Sequence, residues 1–232
     1  MKFVVKYFSE IAIKSKPVRR RFVGHLADNL RALLREIEPG VVVHRGWDKL
    51  QVETGCDEPA VLERMVQAMR NAPGITYILE VKEYPLGELE DLADRVLPVY
   101  ADRLAGRTFA VRCRRSGQHD FTSVEVERWL GTAMLAHTEA AGVDLREPEV
   151  VVDVEISQDR LYVVGRRHRG LGGYPVGSVD PVLSLISGGF DSPVASYLTM
   201  KRGMRTHFLF FNLGGRAHEI GVKEVALYLW QK

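Results

Sequence analysis

The 232 residues carry 32 Lys and Arg against 30 Asp and Glu, a formal net charge of +2, so net charge by itself selects no partner. Hydrophobic residues make up 46% and charged residues 27%, an ordinary globular composition, and no apolar run approaches the ~20 residues of a membrane span. The opening Met1-Lys2-Phe3-Val4-Val5-Lys6 is charged too soon for a signal peptide. Cys56 and Cys113 supply neither a disulfide framework nor a metal spacing; the expected compartment is the cytoplasm, with no membrane partner.

Lys2 to Phe8 alternates and is rich in Val, Phe and Tyr, which predicts a strand. Ser15-Lys16-Pro17 reads as a helix start with Ser15 as cap, followed by Val18, Phe22, Leu26, Leu30, Leu33 and Ile37 at helical spacing and a stop at Pro39-Gly40. Val41 to His44 and Leu50 to Glu53 predict a hairpin turning near Gly46 to Lys49. Pro59 opens a second helix with Val61, Leu62, Met65, Val66 and Met69 as its stripe. Ile75 to Val81 is a further β run. The order β-α-β-β-α-β is the ferredoxin-like arrangement, assigned to residues 1–75.

A second α/β unit, residues 76–167, has a helix marked by Leu89, Leu92, Ala93, Val96, Leu97 and Tyr100. A strand follows from Thr108 to Arg114, then a helix after Thr122 and Glu125, which can form a capping box. Trp129 and His137 fall on that helix's apolar side and are expected in the core. Val150 to Ile156 and Leu161 to Val164 close the unit. From Gly165 to Pro181 glycines and prolines predict a linker, with its core at residues 168–181.

The third unit begins at 182. Val182 to Ile186 is an apolar run ending in Ser187-Gly188-Gly189-Phe190-Asp191-Ser192, after which a helical pattern runs to about Arg202 with Gly203 as C-cap. A strand, a glycine turn and a helix start together aim backbone N–H groups and a partial positive charge at one point, a nest suited to phosphate. Gly188 and Gly189 can take positive φ and admit a ligand close to the backbone. Asp191 sits where a carboxylate holds Mg²⁺ or positions substrate; the plain alternative is a helix cap. No set of protein metal ligands is assigned. Thr206 to Phe211 is an almost wholly apolar strand, as in a parallel sheet covered on both faces, and a last helix runs from about Ala217 to Trp230. Two strands and two helices do not complete such a domain, so residues 182–232 are expected to be only its beginning.

Three basic clusters stand out. Lys14, Lys16, Arg19, Arg20 and Arg21 crowd a helix N-terminus, which disfavours cations by a few tenths to ~1 kcal/mol each, a cost that an anionic partner would offset. Arg112, Arg114 and Arg115 lie on one strand, with Gln118, His119 and Phe121 in the next loop, the mixture used on RNA backbones and unstacked bases. Arg166, Arg167, His168 and Arg169 form the third. Lys14, Lys16, Arg19, Arg20, Arg112, Arg114, Arg115, His119 and Arg167 are the candidate RNA contacts; a solvated basic surface is the alternative for each cluster.

S-G-G-F-D-S resembles the PP-loop signature S-G-G-x-D-S of ATP pyrophosphatases. The chain as a whole resembles the N-terminal half of the tRNA 4-thiouridine synthetase (tRNA sulfurtransferase) family. The likeness also rests on Lys2-Phe3 with Ile11 to Lys14, Pro73-Gly74-Ile75, His119-Asp120-Phe121, Phe211-Asn212-Leu213-Gly214-Gly215 and Ala217-His218-Glu219. It implies a ferredoxin-like domain, a THUMP RNA-binding domain and an incomplete Rossmann-like PP-loop domain. It implies ATP with Mg²⁺ as cofactors, tRNA as partner, a sulfur donor such as a cysteine desulfurase, and sulfur transfer toward thiamine thiazole; it leaves a homodimer open. Ser187, Gly188, Gly189, Asp191 and Ser192 would hold the phosphates, with Asp191 catalytic, and Leu185, Ile186, Phe210 and Phe211 would line the nucleotide. The family's sulfur-carrying cysteines have no counterpart in Cys56 or Cys113, so the chain alone is expected not to thiolate tRNA. The competing readings are a non-catalytic RNA-binding module with a vestigial loop, and a PP-loop ligase acting on a small molecule.

Overall fold

The computed structural model describes residues 1–46 and 49–231. The hairpin turn expected near Gly46 to Lys49 therefore falls partly on Trp47 and Asp48, outside the described residues. The chain divides into two compact units, one formed by residues 3–78 with 168–232 and the other by residues 1–2 with 79–167.

In the first unit the elements are β1 (Lys2–Tyr7), α1 (Ser9–Ala12), α2 (Lys16–Arg35), β2 (Val42–Arg45), β3 (Leu50–Glu53), α3 (Pro59–Asn71) and the start of β4 (Ile75–Pro85). Their sheet order, β2-β3-β1-β4, is that of a ferredoxin-like fold. The short α1 has no counterpart in the sequence reading. Its one buried residue, Ile11, is too little for a periodic signal. The core follows the predicted stripes with one correction. Leu26 and Leu30 of α2 and Met65 and Met69 of α3 are fully buried against Phe3, Val5, Ile75 and Ile78. In the last turn of α2, however, it is Leu34 that is buried, and Leu33, expected in the stripe, is 37% exposed because the buried line keeps the four-residue step from Leu26 and Leu30. Each buried side chain contributes ~1.5–3 kcal/mol through removal from water. Ser15 occupies the N-cap of α2, but its hydroxyl makes no capping bond, and Pro17 at the helix start sets the turn instead.

The second unit contains the end of β4, α4 (Leu89–Leu104), β5 (Thr108–Ser116), α5 (Ser123–His137), β6 (Gly142–Val143), β7 (Val150–Ser157) and most of β8 (Arg160–Gly172). Its strand order is β4-β8-β7-β5-β6, with β5 parallel to β6 and β7, and β7 antiparallel to β8. The capping box forms as expected: Glu125 N–H donates to Thr122 Oγ1 at 3.2 Å, and Thr122 N–H donates to Glu125 Oε2 at 2.6 Å. Trp129 and His137 are not in the core. Both are exposed, and the buried line of α5 is Val126, Leu130 and Met134. Trp129 at 41% exposure lies one position off that line.

Part of the glycine-rich stretch read as a linker is strand: β8 continues to Gly172. A Cβ at Gly170 would stand 2.5 Å from the Ile75 carbonyl oxygen, so the close approach to β4 requires glycine there. Beyond β8 the chain is fastened rather than loose. The Tyr174 ring meets Phe22 edge-on at 5.4 Å, its hydroxyl donates to Glu10 Oε2 at 2.5 Å, and its N–H donates to the Arg202 carbonyl at 3.1 Å.

The remainder of the first unit is β9 (Val182–Leu185), α6 (Asp191–Lys201), β10 (Thr206–Leu209) and α7 (Gly215–Gln231). β9 and β10 pair in parallel, Val182 with Thr206 through Leu185 with Leu209. Ile186, Val222 and Leu229 form a small core with Tyr197, Met200, Phe208 and Phe210. Gly203 ends α6 with φ of +87°, the left-handed turn expected of a C-terminal glycine.

Candidate nucleotide loop and nucleic-acid surfaces

Both parallel strands of the small sheet end beside a glycine turn that opens a helix. β9 leads through Ser187–Phe190 into α6, and β10 leads through Phe210–Gly214 into α7. In parallel sheets such carboxyl ends are where ligands bind. A hydroxyl ladder fixes the first turn. Ser196, fully buried, donates to the Ser192 carbonyl at 2.7 Å. A hydroxyl has one proton, so Ser184 Oγ is the donor in its 2.7 Å bond to Ser196 Oγ, which ties β9 to α6. Above this, Ser187 N–H donates to Ser192 Oγ at 2.9 Å, and the two serine hydroxyls are 2.9 Å apart. Sequence reading missed Ser184 and Ser196, whose signal is a serine on the covered face of each element.

The turn differs from expectation at its glycines. Neither Gly188 nor Gly189 adopts positive φ. The loop's serine hydroxyls hold its backbone in place, with the Gly189 N–H reaching Ser187 Oγ at 3.4 Å. Asp191 is also not the helix cap: Phe190 occupies the N-cap, no side chain caps it, and Asp191 is the first helical residue, exposed to solvent. Its carboxylate stands at the helix start, next in sequence to Ser192.

The four residues expected to line a nucleotide divide. Leu185 and Phe211 are 60% and 64% exposed at the strand ends. Ile186 is buried in the small core and donates its N–H to Leu209, while Phe210 is half-buried against that core. His218, on the first turn of α7, meets Phe210 edge-on at 5.0 Å. A Cβ at Gly188 would lie 3.6 Å from His218 Nε2. The sequence reading gave His218 no role.

The first basic cluster forms a cleft. Lys16, Arg20, Arg21, His25 and Arg45 line a space of about 630 Å³, with Asp28 as its one carboxylate. Asp28 is already engaged, at 2.6 Å from Arg31 and 2.7 Å from Arg45. His25 and Arg45 come from one turn farther along α2 and from β2, which is why local clustering did not reveal them. Arg19 leans back on the Ala12 carbonyl at 3.5 Å and lines an adjoining cleft of about 390 Å³. Lys14 lies over the Tyr174 ring at 5.6 Å.

In the second unit the arginines are engaged differently. Arg112 is half-buried and donates to the Leu145 carbonyl at 2.8 Å. Arg114 lies 3.5 Å from both Asp153 and Glu155, and Arg167 lies 3.9 Å from Asp153. Both carboxylate residues are buried, at 6% and 3% exposure. Arg115 donates to His119 Nδ1 at 2.9 Å, so the His119 proton sits on Nε2 and is donated to the Gln158 carbonyl at 2.7 Å. His119 stacks on Phe121 at 5.2 Å, and Phe121 is half-buried against the core.

Cys113 is buried, and burial first, then the Glu127 carboxylate, pushes its thiol up to about 11. Cys56 is half-buried, with its N–H donated to Thr54 Oγ1 at 3.0 Å. Among the described residues no group of three or more His, Cys, Asp and Glu is placed to hold a metal ion, and no helix is long and apolar enough to cross a membrane.

Comparison with known proteins places each part. The ThiI ferredoxin-like domain matches residues 2–78, the THUMP domain residues 87–164, and the thiamine biosynthesis protein ThiI residues 177–232. The chain is thus of the class that sets a ferredoxin-like and a THUMP domain ahead of a ThiI domain. It is 54% identical over its whole length to a tRNA sulfurtransferase of Pseudomonas aeruginosa and 53% identical to one of Azotobacter vinelandii, and spans 48% of each. Its residues thus carry ThiI ferredoxin-like, THUMP and ThiI domains, and its tRNA sulfurtransferase relatives are similar to it over the whole of this chain. The fold is shared with PH1313 from Pyrococcus horikoshii (TM-score 0.83, 22% identity, 98% of this chain and 73% of that one). It is also shared with a 4-thiouridine synthetase solved as an RNA complex with bound ATP (TM-score 0.77, 24% identity, 99% and 58%).

Proposed function

We propose that this chain is the tRNA-binding part and the opening of the ATP site of a cytoplasmic tRNA sulfurtransferase that makes 4-thiouridine. The observation that carries the reading is the Ser187–Ser192 loop, seated between the end of a parallel strand and the start of α6. A homologous fold has been solved with RNA and ATP, which supports the assignment of both ligands.

In this reading the uridine 4-oxygen attacks the α-phosphorus of ATP and pyrophosphate leaves. The terminal sulfur of an enzyme persulfide then attacks C4 and AMP leaves. A second thiol attacks the carrier sulfur and breaks the S–S bond, leaving sulfur on C4 and a disulfide between the two thiols. Pyrophosphate leaves readily only when its charge is neutralised. The loop N–H groups, the dipole of α6 and the Ser187 and Ser192 hydroxyls supply donors, and Leu185 and Phe211 offer apolar surface at the strand ends. Asp191, Ser187 and Ser192 are a hard, oxygen-only donor set, which fits Mg²⁺ held jointly with phosphates; when bound, it would take up charge on the departing pyrophosphate. Lys16, Arg20, Arg21, His25 and Arg45 would hold RNA phosphates. Cys113, with its raised pKa and burial, is unsuited to carry a persulfide, and the sulfur-carrying cysteines of the family it resembles have no counterpart in Cys56 either. In this reading the sulfur therefore comes from a cysteine outside these 232 residues, itself loaded by a donor such as a cysteine desulfurase. Sulfur transfer toward thiamine thiazole accords with the thiamine biosynthesis family matched by residues 177–232.

The test is pyrophosphate release from ATP by the full-length protein, with and without tRNA. Release that depends on tRNA and is lost in Asp191→Ala supports the reading. Tight tRNA binding with no ATP binding supports the non-catalytic RNA module instead. The 232 residues alone are expected to form no 4-thiouridine.

A further inference from the structure

The imidazole of His218 is held by three neighbours, all near the loop. Phe210 meets it edge-on at 5.0 Å, with the ring planes 87° apart. Gly214 lies beneath it: a Cβ there would stand 2.8 Å from Nδ1 and 2.9 Å from the His218 Cβ, so only glycine leaves the ring in place. Its far edge faces Gly188, where an added Cβ would make ordinary contact at 3.6 Å with both Nε2 and Cδ2. A ligand laid along the Gly188 backbone therefore comes within reach of Nε2. The ring is half-buried and packed on its apolar side, so its freedom is limited and its nitrogen edge is presented to the loop.

From this geometry we infer that His218 is a substrate-contacting residue of the loop, donating from Nε2 to a phosphate oxygen of the nucleoside triphosphate seated at Gly188. The inference rests on the ATP reading of Ser187–Ser192. An imidazole with hydrogen on Nε2 is a donor whether neutral or protonated. A hydrogen bond to a charged acceptor is stronger than one between neutral groups. The histidine adds to the loop what its sequence lacks: no lysine follows these glycines to reach the phosphates, and the donor comes instead from the next strand-to-helix turn. The contact also makes the two turns act on one ligand, one through backbone and hydroxyls, the other through a side chain.

The experiment measures dissociation constants of ATP and of adenosine by calorimetry on the full-length protein. His218→Ala is expected to weaken ATP by about 10- to 100-fold and adenosine by less than about 2-fold, with unchanged melting temperature. His218→Gln, which keeps an N–H donor near the Nε2 position, recovers part of the loss. Gly214→Ala leaves the imidazole in the sequence but displaces it, and is expected to reproduce the ATP defect. That variant keeps the test open if His218→Ala fails to fold. Equal losses for ATP and adenosine would overturn the inference, since His218 would then act only by supporting Phe210. Unchanged ATP affinity in His218→Ala, with affinity lost in Asp191→Ala, would overturn it while leaving the ATP reading intact. Absence of ATP binding by the unmodified protein would overturn both.

Discussion

The basic helix start of the ferredoxin-like domain and the arginine strand of the THUMP domain look alike in sequence, each a short run of cations. Folded, they differ in what holds those cations. At α2 the side chains of Lys16, Arg20 and Arg21 face a cleft whose one carboxylate, Asp28, is bound to Arg31 and Arg45. At β5 the arginines are drawn to the protein itself: Arg114 to Asp153 and Glu155, Arg112 to a carbonyl, and Arg115 to His119. A cation already held by a buried carboxylate has a structural job before it has an RNA job, and releasing it for a phosphate leaves a buried charge exposed to the cost of burial. The number of local cations is thus a poor guide to the surface that a polyanion meets; their partners decide.

The largest effect is expected at α2. Replacing Lys16, Arg20 and Arg21 together by Ala is expected to weaken tRNA by about a hundredfold near physiological salt and to flatten the salt dependence by about 2.7, at ~0.9 per phosphate contact, with little change in melting temperature. Equal tRNA affinity in filter binding would remove α2 from the interface. Next is Arg114→Ala, where stability should fall by ~1–2 kcal/mol, less than for a fully buried pair because Arg114 is half exposed. Its tRNA affinity should fall by less than about 10-fold. Denaturant unfolding checks the first and filter binding the second; a large affinity loss with intact stability would reverse the roles assigned to the two regions.

Smaller effects come from groups that the second unit holds in one protonation state. Cys113 has its thiol raised from 9.0 to about 11, with burial as the main cause. Its contribution to stability is therefore complete below pH 9 and is lost as pH rises toward 11. At neutral pH a thiol reagent should modify Cys56 alone in the folded chain and both cysteines after denaturation. Rapid modification of Cys113 in the native state would contradict its burial. Glu125 is the opposite case: the Thr122 N–H holds its carboxyl below the usual range. Its small stabilisation is present at neutral pH and lost as pH falls through its folded-state pKa, so Glu125→Ala should lower the melting temperature slightly at pH 7 and less at pH 3.

Much of this was legible in the sequence because it depends on local pattern. The stripes of α2 and α3, the β-α-β-β-α-β order, the Thr122–Glu125 box and the strand-loop-helix around Ser187 all come from spacing and short-range chemistry. What escaped depends on distant neighbours. β8 continues through Gly170 because the Ile75 backbone lies alongside. Trp129 is exposed because α5 meets its core along Val126, Leu130 and Met134. Arg45 and His25 join the α2 cleft from outside the local cluster. Gly188 and Gly189 avoid positive φ because serine hydroxyls shape the turn in their place. His218 stood in the sequence only as part of Ala217-His218-Glu219, with no role assigned; only the fold brings α7 to Gly188.

The central claim is that Ser187–Ser192 is an ATP phosphate site. Equilibrium dialysis of labelled ATP against the full-length protein, unmodified and as Gly188→Val, tests it most directly. The unmodified protein should bind one ATP per chain saturably, and the binding should be lost when the valine side chain fills the space between residue 188 and His218. Undiminished binding in Gly188→Val, or no binding by the unmodified protein, would contradict it.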